Sequence, residues 1–116
     1  MDTSTIQHRL RDFAAERDWE QFHSPKNLVM ALGAEVGELT ELFQWMTEKQ
    51  SRALDGASPD MTHVREEIAD VMIYLLRLAD VLNVDLKSSI DAKITLNEEK
   101  YPVELSRGNS RKHSRR

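Results

Sequence analysis

Glutamate stands twice in this chain at the centre of what should be a core-facing helical stripe. Over residues 32–45, wound at about 100° per residue, Leu32, Leu39, Leu42 and Met46 share one face. Glu35 falls in the middle of that face, and Glu38 lies one turn on, about 60° to the side. The arrangement recurs with Val64, Val71, Tyr74, Leu78 and Leu82, where Glu67 sits mid-stripe and Asp70 to the same side. The two cores match position for position: Glu-Val-Gly-Glu-Leu at 35–39 and Glu-Ile-Ala-Asp-Val at 67–71. An unpaired buried charge is very costly, so buried charges are paired or bind metal. Two helices packed through these faces bring four carboxylates together, a site for a hard cation such as Mg²⁺ or Mn²⁺. The alternative is that the acids reach solvent or pair with Arg65 and Arg77.

The rest of the chain sorts into helices. Ser4 and Gln7 form a capping box before a helix to about Arg17, with Ile6, Leu10, Phe13 and Ala14 on its apolar face. An aromatic-rich connector, 18–23, follows. Ser24 and Pro25 suit the cap and first position of a long helix to about Glu48. Residues 49–60 have turn composition and no apolar period, so they read as a loop. Asp60 caps a third helix to Leu82, with Asn83 as its stop. That helix also carries Ile68, Met72, Ile73, Leu75 and Leu76. Being apolar nearly all round, it calls for burial on several sides and hence an oligomer interface. Asp85 caps a fourth helix, with Leu86, Ile90 and Ile94 inward, ending near Lys100 before Pro102. Lys93, Asn97 and Lys100 share a face, with Tyr101 close by. The expected fold is an all-α bundle of four main helices, assembled as a dimer or tetramer.

Composition narrows the partners. The last ten residues hold five of the 16 basic side chains and no acid, leaving 11 basic against 20 acidic residues in 1–106. So acidic a body is a poor nucleic-acid binder. Residues 107–116 read as a basic, flexible C-terminal tail following a single domain over 1–106. Without cysteine, thiolate sites and disulfides are excluded. No run is long enough for a membrane span, which makes a cytoplasmic protein the expectation.

Glu35-x-x-Glu38, 28 intervening residues, then Glu67-x-x-Asp70 resembles the MazG-like all-α nucleoside triphosphate pyrophosphohydrolases. The stretch from Phe13 through Trp19 to His23, the run from Glu35 to Trp45, Asp70 to Leu75, and Asn97 through Tyr101 and Pro102 are similar to the dCTP pyrophosphatase branch. The resemblance implies Mg²⁺, with Mn²⁺ as a substitute, on Glu35, Glu38, Glu67 and Asp70. It implies hydrolysis of a (deoxy)nucleoside triphosphate, with dCTP or modified dCTP preferred, at the α–β bond. It also implies a base pocket lined by Trp19 and Trp45, with His23, Tyr74, Lys93, Asn97 and Tyr101 on the nucleotide. Basic Lys93 and Lys100 would hold the leaving pyrophosphate. Geometry offers its own argument for Trp45, which lies about 20° from Glu38 and two turns on if the helix continues. Leu10 stands where the animal enzymes carry histidine, and Lys100 where the family commonly has arginine. A non-catalytic helical binding module is the competing class. A di-iron bundle is rejected, because Glu20 and His23 form the sole Glu-x-x-His pair and lie outside the acidic helices.

Overall fold

The computed structural model describes residues 1–110, and every described element is helical. The chain divides into two compact units, Met1–Asn83 and Val84–Arg116. Residues 111–116, most of the expected basic tail, lie outside the described residues.

Three helices build the first unit. α1 spans Thr3–Glu16, α2 Pro25–Phe43 and α4 Pro59–Val81, with the short α3, Glu48–Arg52, between the last two. α4 packs against α2 and, less extensively, against α1. The buried core comes from all three: Ala14 on α1, Leu28 on α2, and Val64, Leu76 and Ala79 on α4. Leu28 and Leu76 are the largest side chains wholly removed from water. Gln7 on α1 reaches across to α4, its Nε2 donating to the Leu76 carbonyl oxygen at 2.9 Å.

The sequence-derived start of α1 needs correction. Asp2 is the cap: its Oδ1 accepts from the Thr5 backbone N–H at 3.1 Å, and its Oδ2 from the Thr5 hydroxyl at 2.7 Å. Ser4 is already inside the helix, and Gln7 is taken up by Leu76. Gln7 thus gives its amide N–H to a tertiary acceptor, where a capping box would have turned its Oε1 back to the Ser4 N–H. α1 ends in a Schellman motif, with Asp18 left-handed at φ 54°. The Trp19 N–H returns to the Ala14 oxygen at 2.8 Å and the Asp18 N–H to the Ala15 oxygen at 3.1 Å.

α2 begins as expected, with Ser24 Oγ accepting from the Asn27 N–H and Pro25 in the first turn. It stops five residues early, at Phe43. The cause is a second capping box: Thr47 Oγ1 accepts from the Gln50 N–H while Gln50 Oε1 accepts from the Thr47 N–H. A cap requires extended backbone, and Thr47 has it at ψ 162°. Residues 49–60 are therefore a loop only after Arg52. Pro59 occupies the first turn of α4 behind Ser58, so Asp60 lies within the helix and does not cap it. Asn83, left-handed at φ 56°, terminates the turn after α4 as expected.

The second unit consists of α5, Leu86–Lys100, and a four-residue helix α6, Val103–Ser106. Asp85 caps α5 by accepting from the Ser88 N–H at 3.0 Å. The expected inward residues Ile90 and Ile94 are about half exposed, and α5 contributes nothing to a buried core in the single chain.

Leu76→Ala should lower the unfolding free energy by about 2–5 kcal/mol, through lost burial plus a cavity. Asp2→Ala should cost about 1 kcal/mol, whereas Ser4→Ala should be nearly neutral. Urea denaturation of the three variants checks both, and equal losses at positions 2 and 4 would return the cap to Ser4.

Candidate metal centre and a cavity in the same unit

The packing of α2 against α4 brings three carboxylates together. Glu35 and Glu38 sit one turn apart on α2, and Glu67 faces them from α4. One carboxylate oxygen from each lies within 4.8 Å of the others. Glu35 Oε2 and Glu67 Oε2 are shut off from water with no hydrogen-bond partner. The basic residues expected as their alternative partners are engaged elsewhere. Arg65 Nη2 donates to the Gly56 carbonyl oxygen, and Arg77 contacts His23 and Asp80. Asp70, one turn beyond Glu67, is half-buried and is not one of the three gathered acids.

A donor-free cluster of acids must hold either a proton or a cation. Hydrogen bonding to Glu35 comes first among the causes that push the Glu67 carboxyl from its ordinary 4.5 up to about 7. Desolvation and the neighbouring Glu38 carboxylate add to it. A carboxyl–carboxyl hydrogen bond requires a shared proton, which gives the orphaned oxygens their missing partner. Oxygen ligands from three acids, two of them with an unmatched buried oxygen, fit a hard divalent cation, so this cluster could bind a metal.

A cavity of about 300 Å³ opens in the same unit. Leu10, Phe13, Leu28 and Ile73 supply its apolar wall, and Trp19, His23, Tyr74 and Arg77 its aromatic and polar groups. The Schellman turn sets Trp19 against Phe13, edge to face, with ring centroids 5.6 Å apart. His23 closes the short 3₁₀ turn Glu20–Phe22. Its Nδ1 accepts from Arg77 Nε at 3.1 Å. Burial, and then the Arg77 charge, hold the His23 imidazole below its ordinary value, despite an opposing pull from Glu20. Tyr74 is seven residues past Glu67, so the two share a helix face about 10 Å apart along the axis.

Of the residues singled out in the sequence, Glu35, Glu38 and Glu67 meet, and Trp19, His23 and Tyr74 line the cavity. Trp45 does neither. Because α2 ends at Phe43, the extrapolated helix no longer carries it toward Glu38, and it stands 89% exposed in the turn before α3. Lys93, Asn97 and Lys100 lie on α5 of the second unit, and Tyr101 caps it, its N–H bonded to the Asn97 oxygen. Arg77, expected only as an alternative partner for the acids, lines the cavity instead. An arginine among Leu75, Leu76 and Leu78 was the available signal.

Metal-free protein should lose stability as the pH rises from about 4.5 to about 7. In that window the native Glu67 keeps its proton while the unfolded chain has released it, so the unfolded state binds fewer protons and the slope is negative. Glu67→Gln, with no charge to gain, should remove that decline. Divalent-cation affinity should rise over the same range as the proton is displaced. Melting curves of both proteins between pH 5 and 8, with and without cation, check each sign.

The sequence matches the MazG-like family over residues 30–114. It is 47% identical to dCTP pyrophosphatase 1 of Homo sapiens over 103 residues, which are 89% of this chain and 61% of that protein. The Mus musculus protein of the same name gives the same figures. The chain thus spans about three-fifths of the length of these relatives. A crystal structure of a pyrophosphatase from Archaeoglobus fulgidus superposes with a TM-score of 0.78 at 38% identity, covering 88% of this chain and 94% of that one. Over its acidic helices and its fold alike, the chain belongs to the MazG-like family.

Proposed function

We propose that this protein hydrolyses (deoxy)nucleoside triphosphates, preferring dCTP or a 5-substituted dCTP, at the α–β bond to give a monophosphate and pyrophosphate. The observation that carries the proposal is the pairing of a donor-free acid cluster with a cavity containing Trp19, on one helical scaffold. The likeness to dCTP pyrophosphatase 1 supports the same substrate.

Glu35, Glu38 and Glu67 would hold Mg²⁺, or Mn²⁺ in its place, with Asp70 as a fourth ligand on the strength of the motif. The cation's contribution, when bound, is to neutralise phosphate oxygens and lower the pKa of a water. Glu35 or Glu38 then accepts the proton of the attacking water. Trp19 offers a face on which a base can stack, worth about 1–3 kcal/mol whatever the base. The apolar wall keeps water from the base. Roles for Trp45, Lys93, Asn97, Lys100 and Tyr101 on the nucleotide rest on the family resemblance alone.

The same reading includes a cytoplasmic, homo-oligomeric protein, a dimer or tetramer. Its support is α4, which buries Val64, Leu76 and Ala79 on one side while Ile68, Ile73 and Leu75 stay 39–50% exposed. Among the described residues no helix is long and apolar enough to cross a membrane.

Pyrophosphate release from four dNTPs, with and without Mg²⁺, separates an enzyme from a binding module. Glu38→Gln and Glu67→Gln should each lower kcat by on the order of a hundredfold or more, since even residues behind a ligand cost about 10–100-fold. Both variants should remain folded by circular dichroism. Near wild-type rates in either would remove the cluster from the mechanism.

A further inference from the structure

Arg77 is buried, yet it does not neutralise the acid cluster; it borders the cavity. Two contacts fix its guanidinium. Nε donates to His23 Nδ1 at 3.1 Å, and Nη1 to Asp80 Oδ2 at 3.4 Å. Asp80 is itself anchored by Arg11 Nε at 2.7 Å. Asp80 thus shares its one negative charge between Arg11 and Arg77, and the planar group is held in one orientation.

Arginine carries five N–H donors and no acceptor. The two contacts leave the Nη2 amino group with no protein partner among the described residues. The buried polar atoms without a partner there are Glu35 Oε2 and Glu67 Oε2, so Nη2 is not sealed inside protein. The open space that this side chain borders is the cavity. His23 adds to the pattern: since its Nδ1 must accept from Arg77, the neutral imidazole carries its proton on Nε2 and is a donor there. The polar edge of the cavity is therefore rich in donors.

We infer that Arg77 reads the base, its free N–H groups selecting the adjacent O2 and N3 acceptors of a cytosine ring. This rests on the proposed triphosphate hydrolysis and names the residue that sets its specificity. Thymine and uracil carry N3–H where cytosine has a lone pair, so they present a donor to a donor. Adenine sets an amino group beside its one Watson–Crick ring acceptor. A site built to bond a polar group rejects an analogue lacking it, because the site's own buried groups are left unpaired. Guanine's O6 and N7 are also adjacent acceptors that arginine can fork, which puts dGTP in the test.

The experiment compares kcat/KM for dCTP, dTTP, dGTP and 3-deaza-dCTP, in which N3 is replaced by C–H. The wild type should turn over 3-deaza-dCTP about 10–100-fold less efficiently than dCTP, the range for a lost hydrogen bond to a charged group. Arg77→Gln and Arg77→Lys, checked for folding by circular dichroism, should shrink the dCTP-to-dTTP ratio at least tenfold. A purely structural role would lower every substrate alike and leave the ratios unchanged. Because the 3-deaza comparison uses wild type, it can overturn the inference even if the variants unfold, while the changed dCTP-to-dTTP ratio in the variants assigns the reading to Arg77. Equal rates for dCTP and 3-deaza-dCTP, or a preference for dGTP, overturn the inference while leaving the hydrolase intact. Absence of pyrophosphate release from every triphosphate overturns both.

Discussion

Two glutamate oxygens, Glu35 Oε2 and Glu67 Oε2, are buried where α2 meets α4, out of reach of water and of any donor. Carboxylates gathered to within 4.8 Å of one another repel when charged in a medium that screens poorly. The contact persists because it is embedded in favourable packing: Leu28 lies on one helix and Val64 and Leu76 on the other, all nearly fully buried. Apolar burial of about 25 cal/mol per Å² offsets a local electrostatic conflict there. The conflict in turn makes the helix pair a receptor, since whatever supplies positive charge relieves it. Either a proton on Glu67 or a divalent cation can do so, and the two compete.

A second electrostatic chain holds the other end of the unit. Arg11 from α1, Asp80 and Arg77 from α4, and His23 from the connector are linked in sequence by hydrogen bonds. Here one carboxylate lies between two guanidiniums and a neutral imidazole accepts from one of them, so donors meet acceptors as they do not in the acid cluster. It ties the aromatic connector to α4 through His23 and Arg77, and the cavity is lined from both, by Trp19 and Tyr74 among others. Glu67, Asp70, Tyr74 and Arg77 follow one another at spacings of three, four and three, which places them along one face of α4. A single helix thus carries carboxylates toward one end and a guanidinium at the cavity wall toward the other. A nucleotide has the same polarity, with phosphates and base at opposite ends.

Helix content and three members of the acid cluster were legible in the sequence, because both depend on periodicity and residue type. Glu35, Glu38 and Glu67 could be found by their clash with an apolar stripe, a conflict that local rules alone expose. Asp85, Ser24 and Asn83 acted as caps and stop where their chemistry indicated. Ends were harder. Ser4 and Gln7 form a plausible capping box, but the Leu76 carbonyl outcompetes Ser4 for Gln7, and that acceptor is 69 positions away.

What the sequence by itself determined was therefore the all-helical class and the presence of acids that demand a cation or proton, since i, i+3 and i+4 relations suffice for both. The resemblance carried by those same motifs led to the family. Tertiary structure decided which acids meet: three converge across α2 and α4, with Asp70 left outside that group. It also decided that Trp45 leaves its helix, because the Thr47–Gln50 cap interrupts the stripe that would have aimed it. Arg77 moved from a partner of the acids to a wall of the cavity because the nearest groups offering to share its charge and donors were Asp80 and His23. Periodicity assigns a residue to a face; only packing assigns that face its neighbours, and a buried charge takes its role from those neighbours.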